Sequence, residues 1–394
     1  MGGTIRGAAT SITAFVGRTV RGPLDQPMTI FGYDDFERIF GGRRRDLPVP
    51  YAVADFFDNG GTQALVVRVC AGAASEHDLE HIGMLAEGSD GGVLSASLFT
   101  GSMDRRTGIY SLAYADIFNI LVIPPDPSLP GGDDDMRTIY GEAATYCHGR
   151  RAILVADPLE AWTASATIDR LHAISSADLA IANVDRRATF TYFPRILKRD
   201  PEDGDREKPF SASGSIAGLF AATDAAHGVW IAPSGVKHPI TGVAGLEHAL
   251  SDAQNVALGE MGVNALRDVP GAGTVLWGAR TLGDAAAPDD DTSLQVRRLT
   301  NFIEESLYRG TRYAVFEPNA EPLWADLRLR IGSFMANLAR QGAFSDYYVR
   351  CDASTTTAND VQLGRLNAVV AFAPVRAAEF VDVTIQRLSH ETTV

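Results

Sequence analysis

His77 and His81 stand four residues apart among Glu76, Asp78 and Glu80. On a helix that spacing puts both imidazoles on one face, where they could hold a divalent metal ion. No HExxH order and no third ligand accompany them, so a solvated acidic helix is the simpler reading. The acidic runs Asp133–Asp135 and Asp289–Asp291 lack the alternating oxygens, central Gly and terminal Glu of an EF-hand. Each precedes a predicted helix, whose macrodipole its charge would complement. Ser213-Gly-Ser215-Ile-Ala-Gly218 places hydroxyls at the start of a helix, and nucleophilic chemistry there would need an Asp and a His brought in by the fold. The upstream candidates His77, His81, His148 and His172 carry no supporting Gly-rich motif, and the same Gly and Ala residues read as close helix packing. Cys147 and His148 are sequence neighbours and so cannot share a helix face. A phosphate-binding P-loop is missing from the sequence. Gly271-Ala-Gly273 follows a loop and precedes a strand, the reverse of a dinucleotide fingerprint, and position 276 is Leu. These patterns imply no cofactor, no metal and no catalytic residue.

The bulk composition narrows the classes further. Of 394 residues, 45% are hydrophobic and 21% charged, enough apolar surface for real cores, and the length allows two or three domains. The 35 Lys and Arg against 49 Asp and Glu leave a net charge of −14. Nucleic-acid affinity rests on clustered cations, so that balance argues against a nucleic-acid binder. The longest apolar runs, Ile117–Ile123 and Ala368–Ala373, are strand length, which excludes helical membrane insertion. The N-terminal MGGTIRGAATSITAFVG reads as a strand, with a secretory signal as the alternative. Cys70, Cys147 and Cys351 are far apart, odd in number and each beside an apolar or helical segment, as buried free thiols in a reducing compartment would be.

Hydrophobic periodicity supplies the elements. Ser11–Gly17 is a strand, Phe36, Ile39 and Phe40 face one side of a short helix that Asp34 is placed to cap, Pro50 opens a second helix, and Gln63–Val69 is a buried strand. This rhythm is that of an α/β domain. It weakens between Ala71 and Arg106, a loop-rich stretch, and resumes at Ile117–Ile123. Ala152–Val155, Leu179–Ala182, Thr189–Phe193 and Val229–Ile231 are further strands, whereas Lys198–Lys208 (KRDPEDGDREK) reads as an exposed loop. Ser213–Ala226 is a small-residue helix. Capping-box spacing at Ser251–Gln254 and Thr292–Gln295 opens two more. After a strand at Tyr313–Phe316, Leu323, Trp324, Leu327, Ile331, Phe334, Met335 and Leu338 stripe one face of a long helix whose opposite face carries Arg328, Arg330 and Arg340. Tyr347–Cys351 and Leu366–Phe372 are strands. Finally Phe380–Gln386 alternates, with Val381, Val383 and Ile385 on one side and Asp382, Thr384 and Gln386 on the other. Such a terminal strand can pair within its own sheet or be donated to a neighbour, and periodicity does not decide which.

Taken together, these blocks resemble contractile tail sheath proteins. The N-terminal part is carried by TSITAFVG at Thr10–Gly17, FGYDDFERIFG at Phe31–Gly41 and YAVADFFDNGGTQALVVRV at Tyr51–Val69. The second half is carried by Ser213–Ser234, Gly242–Arg267, VLWGART at Val275–Thr281, RRLTNFIEESLYRGTRYAVF at Arg297–Phe316, EPNAEPLW at Glu317–Trp324, Arg340–Asp352 and Asn367–Gln386. The resemblance covers roughly 60% of the chain, in order, and leaves out residues 72–210.

What the resemblance implies is a structural machine and not an enzyme. The fold would be α/β and multi-domain, with a subtilisin-like α/β core lacking protease activity, in keeping with the Ser213 motif and the missing triad. Residues 1–20 would join the inner core domain, 21–268 would form the outer α/β region with a variable insertion around 72–210, and 269–394 would form the inner-wall domain. Such subunits stack as hexameric rings in a helical homo-oligomer around an inner tube protein, between a baseplate and a terminator or cap, and contract when triggered. The particle would be a phage virion tail or a phage-tail-like injection system, assembled in the bacterial cytoplasm, without nucleic-acid contact or direct membrane insertion. The resemblance makes Phe380, Val381, Asp382, Val383, Thr384, Ile385 and Gln386 a strand exchanged between subunits, and the Arg328, Arg330 and Arg340 face a candidate for touching the tube, beside the alternative of a solvated face. One departure concerns the N-terminus: sheaths usually carry an extended arm with a Pro-Gly-Val-Tyr-like strand ahead of the TSITAFVG block, and nine residues precede Thr10 here. Two other readings stay open at this point, a sheath-like baseplate or cap component present in few copies, and a cytosolic α/β hydrolase or ligand-binding protein that would show a deep polar pocket.

Overall fold

A computed structural model describes residues 4–70, 93–163, 174, 176–283 and 293–375, and the backbone of 381–388. The chain is mixed α/β and forms two compact units, one of Ala9–Leu294 and one of Met1–Ala8 with Gln295–Val394.

The larger unit is built on an eight-stranded sheet. Its strands are β1 (Thr13–Gly17), β2 (Met28–Ile30), β3 (Ala64–Arg68), β4 (Ile120–Val122), β5 (Ile153–Ala156), β6 (Thr189–Phe193), β10 (Asn264–Val269) and β11 (Gly273–Trp277), in the spatial order β11-β10-β6-β5-β4-β1-β3-β2. The six inner strands are parallel, and β2 and β11 pair antiparallel at the two edges. Such a sheet is covered on both faces, so its strands are apolar on both sides. Ala14 and Val16, Leu121 and Ile123, and Leu154 and Ala156 point into one core with α3 (Asp133–Gly149). Phe15, Ile120, Val122, Ile153 and Val155 point into the other, with α1 (Tyr33–Phe40), α2 (Pro48–Asp58) and α4 (Ser213–His227). A further helix, α5 (Asp252–Glu260), starts on the capping box read from Ser251 and Gln254.

Three segments depart from the sequence reading. The stretch 93–210, expected as part of a variable insertion, supplies three central strands of this sheet, β4, β5 and β6. The division between units falls after Leu294 rather than after residue 268: Asn264 and Ala265 pair with Tyr192 and Phe193 and carry β10 and β11 into the same sheet. Within 1–20, the strand β1 is central to the larger unit, while residues up to Ala8 go with the smaller one.

Lys198–Lys208 is also a correction. It is a β-hairpin of β7 (Ile196–Asp200) and β8 (Arg206–Phe210), flanked by the two-residue strand β9 (Gly245–Leu246). Several of its charges have internal partners: Lys198 pairs with buried Asp55, the Asp200 carboxylate accepts from Tyr51 Oη at 2.9 Å, and Lys208 Nζ lies 2.5 Å from Asp203. Leu179–Ala182, expected as a strand, is replaced by a 3₁₀ turn at Ser176–Leu179, and Val229–Ile231 is a turn.

In the smaller unit, α6 (Leu294–Gly310) and α7 (Glu321–Arg340) carry the apolar stripes, with Phe302 and Phe334 rings 6.0 Å apart. The N-terminal segment lies along one face of α6. Ile5 is buried beside Gly310, Gly7 sits against the Phe302 ring, and the Ala8 amide donates to Ser306 Oγ at 2.9 Å. Tyr313–Phe316, expected as a strand, is a 3₁₀ helix, and Phe316 is 88% exposed. A three-stranded antiparallel sheet closes the unit in the order β12 (Phe344–Arg350), β13 (Arg365–Pro374), β14 (Val381–Leu388).

Candidate functional site

The C-terminal sheet is where sequence analysis placed function. β13 is its central strand. Val370, Ala371 and Phe372 are buried, and the Phe344 and Phe372 rings lie 5.4 Å apart. β14 pairs with β13 over eight residues, from Arg365↔Leu388 to Phe372↔Val381, including Val369↔Thr384 and Val370↔Val383. The expected strand Val381–Gln386 therefore exists and in the isolated chain runs beside the chain's own β13. Phe380 lies outside the described residues. Chemically, β14 offers a ladder of backbone bonds on each side, one used by β13 and the other along the sheet's edge.

On α7 the predicted stripe is buried as expected: Leu323, Trp324, Leu327, Ile331, Phe334, Met335 and Leu338. The three arginines do not form one free cationic face. Arg328 Nη2 meets Glu321 at 2.6 Å, and its Nη1 donates to the Cys351 carbonyl. Arg330 Nε meets Asp326 at 2.7 Å and lies over the Tyr313 ring, whose hydroxyl donates to the same carboxylate at 2.6 Å. The Arg330 guanidinium and that hydroxyl hold the Asp326 carboxyl below its ordinary range. Arg340 is exposed and donates to Asn337 at 3.4 Å. The i, i+4 spacing of Asp326 and Arg330 was legible in the sequence as an intrahelical pair.

The larger unit contains the other candidates. The Ser213 amide and hydroxyl both donate to Asp157, at 3.1 and 2.6 Å, at the point where β5 ends and α4 begins. Asp157 is buried, and desolvation pushes its carboxyl up to about 6 against the opposing hydrogen bonds from Ser213. Ser215 Oγ is buried without a hydrogen-bond partner among the described residues. No histidine is bonded to either serine among them. His148 Nδ1 lies 3.6 Å from Asp185, and His77, His81 and His172 fall outside the described residues, as do Asp289–Asp291 and Thr292. The Ser213–Gly218 motif does a packing job. A Cβ on Gly214 would stand 2.1 Å from the Ala52 carbonyl oxygen, and one on Gly218 would stand 2.5 Å from that of Phe56, so α4 rests directly on the α2 backbone. Gly at positions four apart was the signal for this, and Asp157 as the partner of Ser213 had none.

A cleft of about 490 Å³ opens at the carboxyl ends of β4, β5 and β6, where α/β sheets commonly bind ligands. Its lining includes Tyr51, Pro125, Met136, Arg195, Lys208 and Phe210, with no His or Cys. Arg195 is held by Glu247 and Glu160 at 2.8 and 2.7 Å, and Lys208 by Asp200 and Asp203. Just after β1, Arg18 makes a two-pronged bond to buried Asp126, which follows β4, at 2.7 and 2.8 Å. Among the described residues no three His, Cys, Asp or Glu side chains converge as metal ligands, and no helix is long and apolar enough to cross a membrane.

The described residues thus define a mixed α/β protein, held by packing and internal ion pairs, whose last strand β14 lies at the edge of a three-stranded sheet. Residues 114–282 match the phage tail sheath protein central domain, and residues 287–387 match the phage tail sheath C-terminal domain. The chain belongs to the contractile tail sheath family. It is 29% identical over 178 residues to the tail sheath protein of Vibrio phage KVP40, covering 45% of this chain and 26% of that protein. To the tail sheath protein of Enterobacteria phage T4 it is 27% identical over 180 residues, again 45% of this chain and 27% of that one. The match thus spans about a quarter of the length of these two relatives. Its fold is like that of the contracted helical sheath of the anti-feeding prophage, with a TM-score of 0.73 at 21% identity over 98% of this chain and 95% of that chain. The matched central domain starts at residue 114, so family similarity extends into the stretch 72–210 that had carried no resemblance.

Proposed function

We propose that this chain is the structural subunit of a contractile sheath, polymerising as stacked hexameric rings around an inner tube and contracting to drive that tube through a target envelope. Family membership carries the reading, and β14 gives it a physical means. A strand that pairs with β13 over eight residues can make the same pairs with the β13 of a neighbouring copy. At about 0.5–1.5 kcal/mol per backbone bond, four to six such bonds hold subunits together through a large relative rotation. The smaller unit then forms the inner wall and the larger unit the outer body. Phe380–Gln386 is the exchanged strand.

The partners that go with this reading are other copies of the chain, an inner tube protein, a baseplate and a terminator or cap. Arg340 is the best tube-facing candidate of the three arginines, since Arg328 and Arg330 already have carboxylate partners. The subunit is assembled in the bacterial cytoplasm as part of a virion tail or a phage-tail-like particle, and it catalyses no reaction.

Negative-stain electron microscopy of the purified chain at high concentration, alone and with its tube protein, tests the proposal. Hollow striated tubes of uniform width are expected. Dispersed particles under both conditions would overturn the polymerising role and leave a low-copy baseplate or cap component.

A further inference from the structure

Charge is divided very unevenly between the two units. Residues 1–8 and 295–394 contain twelve Arg, no Lys and eleven Asp and Glu, a net charge of +1, which leaves −15 on residues 9–294. Within the larger unit many of the cations are consumed by internal pairs. Arg18 is bound to Asp126, Arg45 to Asp203, Arg137 to Asp134, Arg195 to Glu160 and Glu247, Lys198 to Asp55, and Arg267 to Asp252. The anionic excess is left at the surface, where Asp58, Asp104, Asp205 and Glu260 are all exposed.

We infer that self-association of this chain is gated by ionic strength: the nearly neutral smaller units carry the attraction between copies, and the anionic larger units repel one another. The inference rests on the sheath reading above, in which copies are linked through the smaller unit. Linking copies there tethers bodies of charge −15 at close spacing, and the resulting repulsion acts over a Debye length, roughly 30 Å at 0.01 M salt and 3 Å at 1 M. Screening therefore removes the opposing force and leaves short-range strand pairing almost untouched. The partner recognised this way is a second copy of the same chain, and the recognition is permitted by salt, not created by it.

The test measures the critical concentration for tube formation by sedimentation, and the second virial coefficient of the dispersed full-length chain by light scattering, from about 0.01 M to about 1 M NaCl. The expected result is a critical concentration falling roughly tenfold or more as salt rises, with a virial coefficient that is strongly positive at low salt and declines. The variant carrying Asp58→Asn, Asp104→Asn, Asp205→Asn and Glu260→Gln should behave in low salt as the parent does in higher salt. A critical concentration that is flat or rises with salt overturns the inference while leaving the sheath reading intact. If no tubes form at any salt, either alone or with the tube protein added, the sheath reading fails, and the virial coefficient still decides whether the larger units repel.

Discussion

Gly218 on α4 lies so close to Phe56 on α2 that a Cβ added to the glycine would stand 2.5 Å from the Phe56 carbonyl oxygen. Backbone meets backbone here, so neither side can give way cheaply. In an open helix, Gly→Ala gains roughly 0.5–1 kcal/mol from helix propensity. At Gly218 overpacking should reverse that sign, and Gly218→Ala is expected to destabilise by about 1–3 kcal/mol or more. Gly259 on α5, with nothing within 4 Å of its Cβ position, is the control. Gly259→Ala should be neutral or stabilising. Chemical denaturation of the two variants checks the pair, and equal effects would show that α2 and α4 are not in backbone contact.

Asp157 gives the larger unit a pH dependence of definite sign. Its folded-state pKa, about 6, lies above the ordinary aspartate value of 3.8. The native state therefore binds this proton where the unfolded state does not, and stability falls as pH rises from about 4 to about 6. A difference of that size between the folded and unfolded chain corresponds to roughly 3 kcal/mol over that window for this one group. Asp157→Asn, which keeps an acceptor for Ser213 and cannot ionise, should flatten that part of the profile. Thermal melts between pH 4 and pH 7 on parent and variant measure it. An unchanged slope would place the titration elsewhere.

The hairpin β7–β8 shows where sequence patterning loses information. KRDPEDGDREK has the composition of a solvated loop, yet Lys198 reaches across to Asp55 on α2, and Asp200 is buried against Tyr51. Nothing local to the segment signals a partner 143 residues away. Removing one member of such a buried pair strands the other, so Asp55→Ala should cost about 3–5 kcal/mol. Replacing both, as in Asp55→Leu with Lys198→Met, should be close to neutral. Denaturation of the single and double variants as a cycle checks this, and additive losses would mean that the pair is not coupled.

Elsewhere the legible parts are those with local periodicity. The short continuous apolar runs of β1, β4 and β5, the stripe of α7 and the capping box at Ser251 carry their structural meaning in their local pattern. Tyr313–Phe316 failed for the complementary reason: four residues are too few to separate a strand from a turn of helix, and Val315 and Phe316 face solvent in a way no apolar run announces. The three arginines of α7 looked like one face, and pairing with Glu321 and Asp326 divides them. Membership of the larger sheet was hidden for β4, β5 and β6 because parallel neighbours far apart in sequence leave no local mark.

The alternation at Val381–Gln386 was legible, but the chain to which that strand belongs in an assembly was not, because β13 offers the same register to its own β14 and to a neighbour's. The choice can be read covalently. Val369 and Thr384 are paired across the two strands, and Val369→Cys with Thr384→Cys puts two thiols opposite each other. If strands are exchanged, oxidation of assembled tubes should link subunits end to end, and a denaturing gel run without reductant should show a ladder of multimers. If each chain keeps its own β14, the same oxidation closes a bond within one chain and the gel shows monomer alone. The doubly substituted chain oxidised while dispersed serves as the reference, since it should give the intramolecular bond. Ending the chain after Pro374 provides the matching functional arm, because a folded subunit without β14 should remain monomeric at concentrations where the full chain polymerises. Tubes from that truncation, or monomer bands from oxidised tubes, would each exclude strand exchange as the link between subunits.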